Sequence, residues 1–295
     1  MIKFLNDDMK LYSPTKEDYL NSLDFAKTLP NSDNNKLIFH FFWRVPIDFG
    51  RKQLAVLKSV IVNHIDIIET VEINLWSNVD LTENVYFKEV DKFVTFRLWD
   101  LFEEIKGTVL ENCDMLSNKD NISDEVCYLE SDLFRLLILH KYGGFYLDMD
   151  VLVLRSLLPL NNYEFVYQWG TSGFRGEEFK MNNAVIKLDK ESDTSLEFLE
   201  LLKKTPPSKN TSCWGSQMFP GITRNNILTL PSIWFNPEWG FEGTLCQPFI
   251  KVDKVDLFDG SFTWHWHNKW DDEIQVGSKF QILEEKHDKL FKELI

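Results

Sequence analysis

From Lys36 onward the spacing of apolar positions changes period several times, and the changes outline the elements. Leu37-Ile-Phe-His-Phe-Phe-Trp43 is a short apolar, aromatic run bounded by polar residues and Pro46, the pattern of a buried strand. After Gly50, Leu54, Leu57, Ile61 and His64 recur at helical spacing, and Val71 to Trp76 then reads as a second strand with Ser-Asn at its end. Phe93 to Leu98 predicts a third strand, and Leu101 to Leu110 a helix. Strands alternating with helices predict an α/β sheet flanked by helices, with ligands at the carboxyl ends of the strands. Residues 1–35 are polar and mixed and end in Pro30-Asn-Ser-Asp-Asn-Asn35, which reads as a helical or loose extension. Residues 36–155 form the regular α/β half, and residues 156–295 break into short strands, turns and tryptophans (Trp214, Trp234, Trp239, Trp264, Trp266, Trp270).

The most informative stretch runs from Ser131 to Asp150. Val126, Leu129, Leu133, Leu136 and His140 mark one helical stripe, and Gly143-Gly144 supplies the permissive backbone that ends it. In the strand that follows, Phe145, Leu147, Met149, Val151 and Val153 alternate with Tyr146, Asp148 and Asp150, so a period of two puts both carboxylates and the tyrosine on one side. Two carboxylates on one face suit a hard divalent cation, which is commonly held by one or two carboxylates plus substrate phosphates. Asp132 and Arg135 lie three apart on one helical face, either as a sugar- and phosphate-binding pair or as a surface ion pair.

Composition narrows the chemistry. Forty-six acidic against 32 basic residues leave a formal charge of −14, which repels nucleic-acid phosphates and anionic membranes, so no nucleic-acid partner is expected. A carboxylate-bound cation would reverse that field locally and admit a phosphate-bearing ligand. With 44% hydrophobic and 14% aromatic residues the chain can bury a full core. Cys113, Cys127, Cys213 and Cys246 form no CxxC pair and read as reduced core thiols. Neither a signal peptide nor an apolar stretch long enough for a transmembrane helix is apparent, and a cytoplasmic location is the expectation.

The order DxxR on a helix, then Gly-Gly, then Tyr-x-Asp-x-Asp resembles the DXD sugar-transferase group: family 32 glycosyltransferases, including initiating mannosyltransferases and capsule-synthesis enzymes, and the glucosylating domain of large clostridial toxins. The resemblance covers roughly residues 36–155, with a fainter echo near 264–270. It implies a GT-A fold, a Mn2+ or Mg2+ cofactor and transfer of a hexose, with retention, from a UDP-sugar or GDP-mannose to a glycan, polysaccharide or protein. It further implies that Trp43 stacks on the base and that Asp132 and Arg135 contact the donor sugar. Tyr146 and Asp148 would sit by ribose and sugar, and Asp150 would bind the metal. Met181-Asn-Asn-Ala-Val-Ile-Lys-Leu resembles the segment that places an asparagine on the transferred sugar, with Asn183 ahead of Asn182. In Phe262-Thr-Trp-His-Trp-His-Asn-Lys-Trp270 it implies a phosphate-binding Trp270, with His265, Asn268 and His267 as further candidates for the metal. The resemblance implies that residues 156–295 are the acceptor-side half, with a C-terminal segment closing over metal and diphosphate. It also implies that Trp214-Gly-Ser-Gln-Met-Phe-Pro-Gly sits where the family's Gly-Pro loop and acceptor-side helix begin, although this chain lacks the Gly-Pro pair.

Two other readings compete. Asp148-Met-Asp150-Val also fits the DxDxV signature of haloacid-dehalogenase-like phosphatases or mutases, in which the first aspartate attacks phosphorus. A non-enzymatic carbohydrate-binding module would instead use Trp264, Trp266 and Trp270 as a sugar platform.

Overall fold

A computed structural model of the chain describes residues 16–44, 48–125, 127–168, 181–218, 227–238, 247–253 and 259–295. The helices and strands, in chain order, are α1 (Lys16–Thr28), β1 (Leu37–Trp43), α2 (Arg51–Asn63), β2 (Val71–Ser77), β3 (Val94–Leu98), α3 (Leu101–Glu104), α4 (Tyr128–Tyr142), β4 (Gly144–Leu147), β5 (Val151–Val153), β6 (Phe165–Gln168), β7 (Met181–Leu188), α5 (Asp193–Lys204), β8 (Leu228–Leu230), β9 (Thr263–His265) and α6 (Lys279–Lys292). Among the described residues, seven strands form one sheet in the order β3-β2-β1-β4-β7-β6-β8, and β5 pairs with β9 in a second. β1, β2, β3 and β4 run parallel, whereas β7 is antiparallel to both β4 and β6. This is the expected mixed α/β sheet flanked by helices, with the acidic motif at the end of a central strand.

Alternate residues of β1 feed two apolar layers. Leu37, Phe39, Phe41 and Trp43 join the layer that holds α2, β5 and α6, while Phe42 joins Trp76 and the α4 face. Burial on both faces is why this strand reads as a nearly unbroken apolar run. Near the start of β1, Gly144 of β4 has φ +101, and a Cβ there would lie 2.4 Å from the Ile38 carbonyl oxygen. The two glycines divide the work: Gly143, at φ +70, caps α4, and Gly144 serves the close approach of β4 to β1.

Several expectations change. The strand expected from Phe145 to Val153 is two strands: Asp148 to Asp150 form a turn, with the Val151 N–H on the Asp148 carbonyl at 3.1 Å. The helix expected over Leu101 to Leu110 ends at Glu104, and Gly107 at φ +75 cannot continue it. The helix carrying Asp132 begins at Tyr128, with Val126 outside the described residues. Two helices lie in the half expected to be short strands, α5 and α6, each opened by a serine whose hydroxyl accepts an N–H three residues on. The extension before Lys36 includes α1, which is docked: Trp234 Nε1 donates to Ser22 at 3.1 Å. Cys113, Cys127 and Cys213 are free thiols, and Cys246 lies outside the described residues.

α2 is the frame for the site. Ser59 Oγ accepts the Val153 N–H at 2.9 Å, and Asn63 Nδ2 donates to the Val153 carbonyl at 3.0 Å. His64 follows: its Nε2 accepts the Leu157 N–H at 3.0 Å, so Nδ1 carries the hydrogen toward Val60 O at 2.7 Å. Burial pushes this imidazole down from 6.5 to about 4. Above pH 6.5 both folded and unfolded chains hold a neutral ring; as pH falls toward 4 only the unfolded chain gains the proton, and stability is lost in that window. Each tenfold difference in proton affinity between the two states is worth about 1.4 kcal/mol, so His64 accounts for up to about 3 kcal/mol of that loss. His64→Gln should therefore flatten the decline between pH 6.5 and 4 by that amount in urea titrations. Parallel pH profiles for the two proteins would show that His64 does not titrate there.

Candidate functional site

At the carboxyl ends of β1 and β4 lies a cleft of about 360 Å3, lined among others by Trp43, Arg44, Ser131, Arg135, Asp148 and Trp270. Its position is the one ligands take in open α/β sheets. The turn after β4 gives the two carboxylates different surroundings. Asp148 keeps a quarter of its side chain exposed, accepts the Tyr146 hydroxyl at 2.7 Å and pairs with Arg135 Nη2 at 3.0 Å. Asp150 is buried, and its Oδ2 faces His265 Nε2 at 3.1 Å and the Asn268 N–H at 2.7 Å.

The histidine comes from a distant part of the chain. β9 pairs with β5 so that His265 stands opposite Val151, and the Trp266 N–H donates to the Asp150 carbonyl at 3.0 Å. Tyr167 Oη lies 3.2 Å from the ring's other nitrogen. Asp148, Asp150 and His265 thereby offer ligand atoms that all lie within 4.8 Å of one another. Two carboxylate oxygens and an imidazole nitrogen are a donor set that fits manganese-type cations. His267 stacks on the His265 ring, with ring centres 3.9 Å apart, and turns Nε2 to the Asn236 amide nitrogen at 2.9 Å, while burial pushes its pKa down to about 2. Asn268 meets Asp150 through its backbone, while its side-chain oxygen accepts the Trp270 indole N–H at 3.1 Å.

The charges of the site hold one another in place. Burial alone would push Asp150 up, but the charge and hydrogen bond of His265 outweigh it and hold the carboxyl below its usual range. Burial pushes Asp148 up against the opposing Arg135, with the Asp150 charge adding to the rise. Burial likewise lowers the tendency of His265 to charge, and Asp150 more than restores it.

Asp132 and Arg135 are both buried, which corrects the surface-pair reading. Arg135 donates to the Asn183 carbonyl at 2.8 Å and to Ser131 Oγ at 2.7 Å, and its guanidinium lies 4.4 Å from the Tyr146 ring centre. Asp132 Oδ1 accepts Asn183 Nδ2 at 3.1 Å, whereas Oδ2 is buried without a hydrogen-bond partner. Burial pushes this carboxyl up to about 6. Gly215 is packed against it, and a Cβ there would sit 2.5 Å from Oδ2. Asn182 turns its oxygen to the Ala184 N–H at 2.6 Å.

Trp43 and Trp270 meet edge to face with ring centres 4.7 Å apart, and Trp270 meets Trp266 in the same way at 4.5 Å. Trp264 and Trp266 are buried, at 1% and 0% exposure, so they offer no sugar platform. Sequence reasoning passed over Ser131, Tyr167 and Gly215. Ser131 stands four residues before Arg135, a helical spacing that could have revealed it; Tyr167 and Gly215 carry no local signal.

Residues 62–167 match the family described as "Glycosyltransferase sugar-binding region containing DXD motif". Over 96 residues the chain is 35% identical to "Uncharacterized protein At4g19900" of Arabidopsis thaliana, a match covering 32% of this chain and 14% of that protein's length. Solved structures similar to it include the PaToxG glycosyltransferase, at TM-score 0.46 and 14% identity over 69% of this chain and 74% of that one. An active-site mutant of LgtC is similar at TM-score 0.47 and 15% identity, over 87% and 96%. No helix among the described residues is long and apolar enough to cross a membrane. The region that matches the sugar-binding family contains Asp132, Arg135, Tyr146, Asp148 and Asp150, of which Arg135, Tyr146, Asp148 and Asp150 line the cleft.

Proposed function

We propose that this chain is a metal-dependent glycosyltransferase that transfers a hexose from a nucleotide sugar to a glycan, polysaccharide or protein acceptor. The observation that carries the reading is the meeting of Asp148, Asp150 and His265 at a cleft walled by Trp43 and Trp270. A UDP-hexose is the favoured donor and GDP-mannose the alternative; family 32 and toxin-like relationship, and retention, follow from the sequence resemblance. In this reading Trp43 stacks on the base, and Asp132, Arg135 and Asn183, with Asn182 behind them, hold the sugar. Tyr146 orients Asp148 through its hydroxyl. Asp150, Asp148 and His265 would hold the cation, Asn268 and His267 supporting them, and Trp270 would turn its indole N–H to phosphate. When bound, a divalent cation stabilises negative charge on the departing diphosphate, and the imidazole favours manganese over magnesium.

The phosphatase alternative is weaker because its aspartate pair opens its domain on the first strand, whereas this pair follows β4. A thermal-shift panel of nucleotide sugars, with and without manganese, tests the proposal. A ligand that binds only the folded state stabilises it by about 2.7 kcal/mol at a hundredfold excess over its dissociation constant. The melting temperature should rise most with a UDP-sugar and manganese together. A flat panel accompanied by phosphomonoester hydrolysis would move the site to the phosphatase reading.

A further inference from the structure

Outside the acidic cluster, Lys52 in the first turn of α2 has an unusual set of partners among the described residues. Its ammonium donates to three backbone carbonyl oxygens, those of Lys269 and Trp270 at 2.7 Å each and that of Asp272 at 2.6 Å. An ammonium has three hydrogens, and all are engaged by one short stretch of chain. Residues 269–272 belong to no helix or strand, so this side chain supplies what a ladder would have supplied elsewhere. The lysine nitrogen also lies 3.9 Å from the centre of the Phe249 ring, which packs in turn on Trp266 at 5.2 Å. Neighbouring Arg51 grips both Glu284 oxygens, at 2.6 and 2.5 Å, and fixes this end of α2 to α6.

The stretch held by Lys52 starts one residue after Asn268, whose N–H steadies Asp150, and it contains Trp270, which faces Trp43 across the cleft. The far end of α2 meanwhile holds β5 through Ser59 and Asn63. One helix therefore carries the two chain segments that follow the acidic turn and His265.

We propose that Lys52 is a positioning residue that keeps residues 269–272 against the cleft, so that the placement of Trp270 and Asn268 depends on one ammonium on α2. Lys52 acts through the carbonyls it binds and is not among the residues that line the cleft. The consequence for turnover rests on the glycosyltransferase reading; the consequence for the segment does not.

The test compares the full chain with Lys52→Met, which keeps the apolar stem and removes the donors, and with Lys52→Arg, which restores donors. Amide hydrogen exchange of residues 266–273 should quicken about tenfold or more in Lys52→Met, the scale of losing hydrogen bonds to a charged group, with α4 and β1 unchanged. Donor KM should rise about tenfold while kcat falls less than threefold, because binding geometry is lost before chemistry. Lys52→Arg should recover part of both changes. Unchanged exchange in residues 266–273 overturns the proposal, and so does a uniform rise across the whole chain, which would mark Lys52 as a stability residue. If the wild-type chain turns over no nucleotide sugar, the glycosyltransferase reading fails, and the exchange comparison still decides the clamp.

Discussion

Asp148→Asn and Asp150→Asn should each lose donor turnover by about a thousandfold or more while the chain stays folded. Metal Lewis-acid stabilisation contributes several kcal/mol, and each 1.36 kcal/mol is a factor of ten in rate. Asp150→Asn should weaken manganese binding more, because Asp150 Oδ2 is the point on which His265 and the Asn268 N–H converge. The fold survives because His265 can release its proton once its partner is neutral, so no unpaired charge stays buried. Asp148 instead shares Arg135 and Tyr146, so its loss disturbs the sugar side of the cleft first. Turnover of a nucleotide sugar is followed with and without excess chelator, with circular dichroism as the check on folding. Wild-type turnover in chelator would remove the metal from the mechanism.

Arg135→Met should destabilise the chain by about 3–5 kcal/mol, the cost of breaking a buried charge pair by removing one partner. A surface pair three apart on a helix contributes only about 0.2–0.5 kcal/mol, so the size of the loss distinguishes the two environments. Burial sets the larger value: the variant leaves Asp132 and Asp148 without their counter-charge and the Asn183 carbonyl without its donor. The loss should be greatest near pH 7.5 and shrink toward pH 5. Burial already pushes Asp132 up to about 6, and a carboxyl raised in the folded state gains stability as pH falls through that value. Denaturant titrations at the two pH values measure both parts. A loss below about 1 kcal/mol, independent of pH, would place the pair in solvent.

Much of the fold was legible because its signals are local. The run from Leu37 to Trp43 is apolar at both phases of the strand period, and burial on both faces accounts for it. The order α4, Gly-Gly, β4 was readable for the same reason. The helices α5 and α6 were also open to reading, since Ser192 and Ser278 cap them, but the tryptophan density of that half drew attention to strands. The turn inside Phe145 to Val153 was hidden: apolar alternation stays in phase across Asp148, Met149 and Asp150, so spacing alone reports one strand where the chain leaves one sheet and enters another.

For this protein the sequence by itself determined the strand and helix order up to Leu147, the pair Asp148 and Asp150, and the helical face shared by Asp132 and Arg135. Only the tertiary structure decided that His265 meets Asp150, that Arg135 is buried between two carboxylates, and that Lys52 grips residues 269–272. Periodicity follows from the geometry of a few consecutive residues and is written locally. Pairing β5 with β9, by contrast, depends on shape and hydrogen-bond complementarity between segments far apart in the chain, which no window of sequence contains.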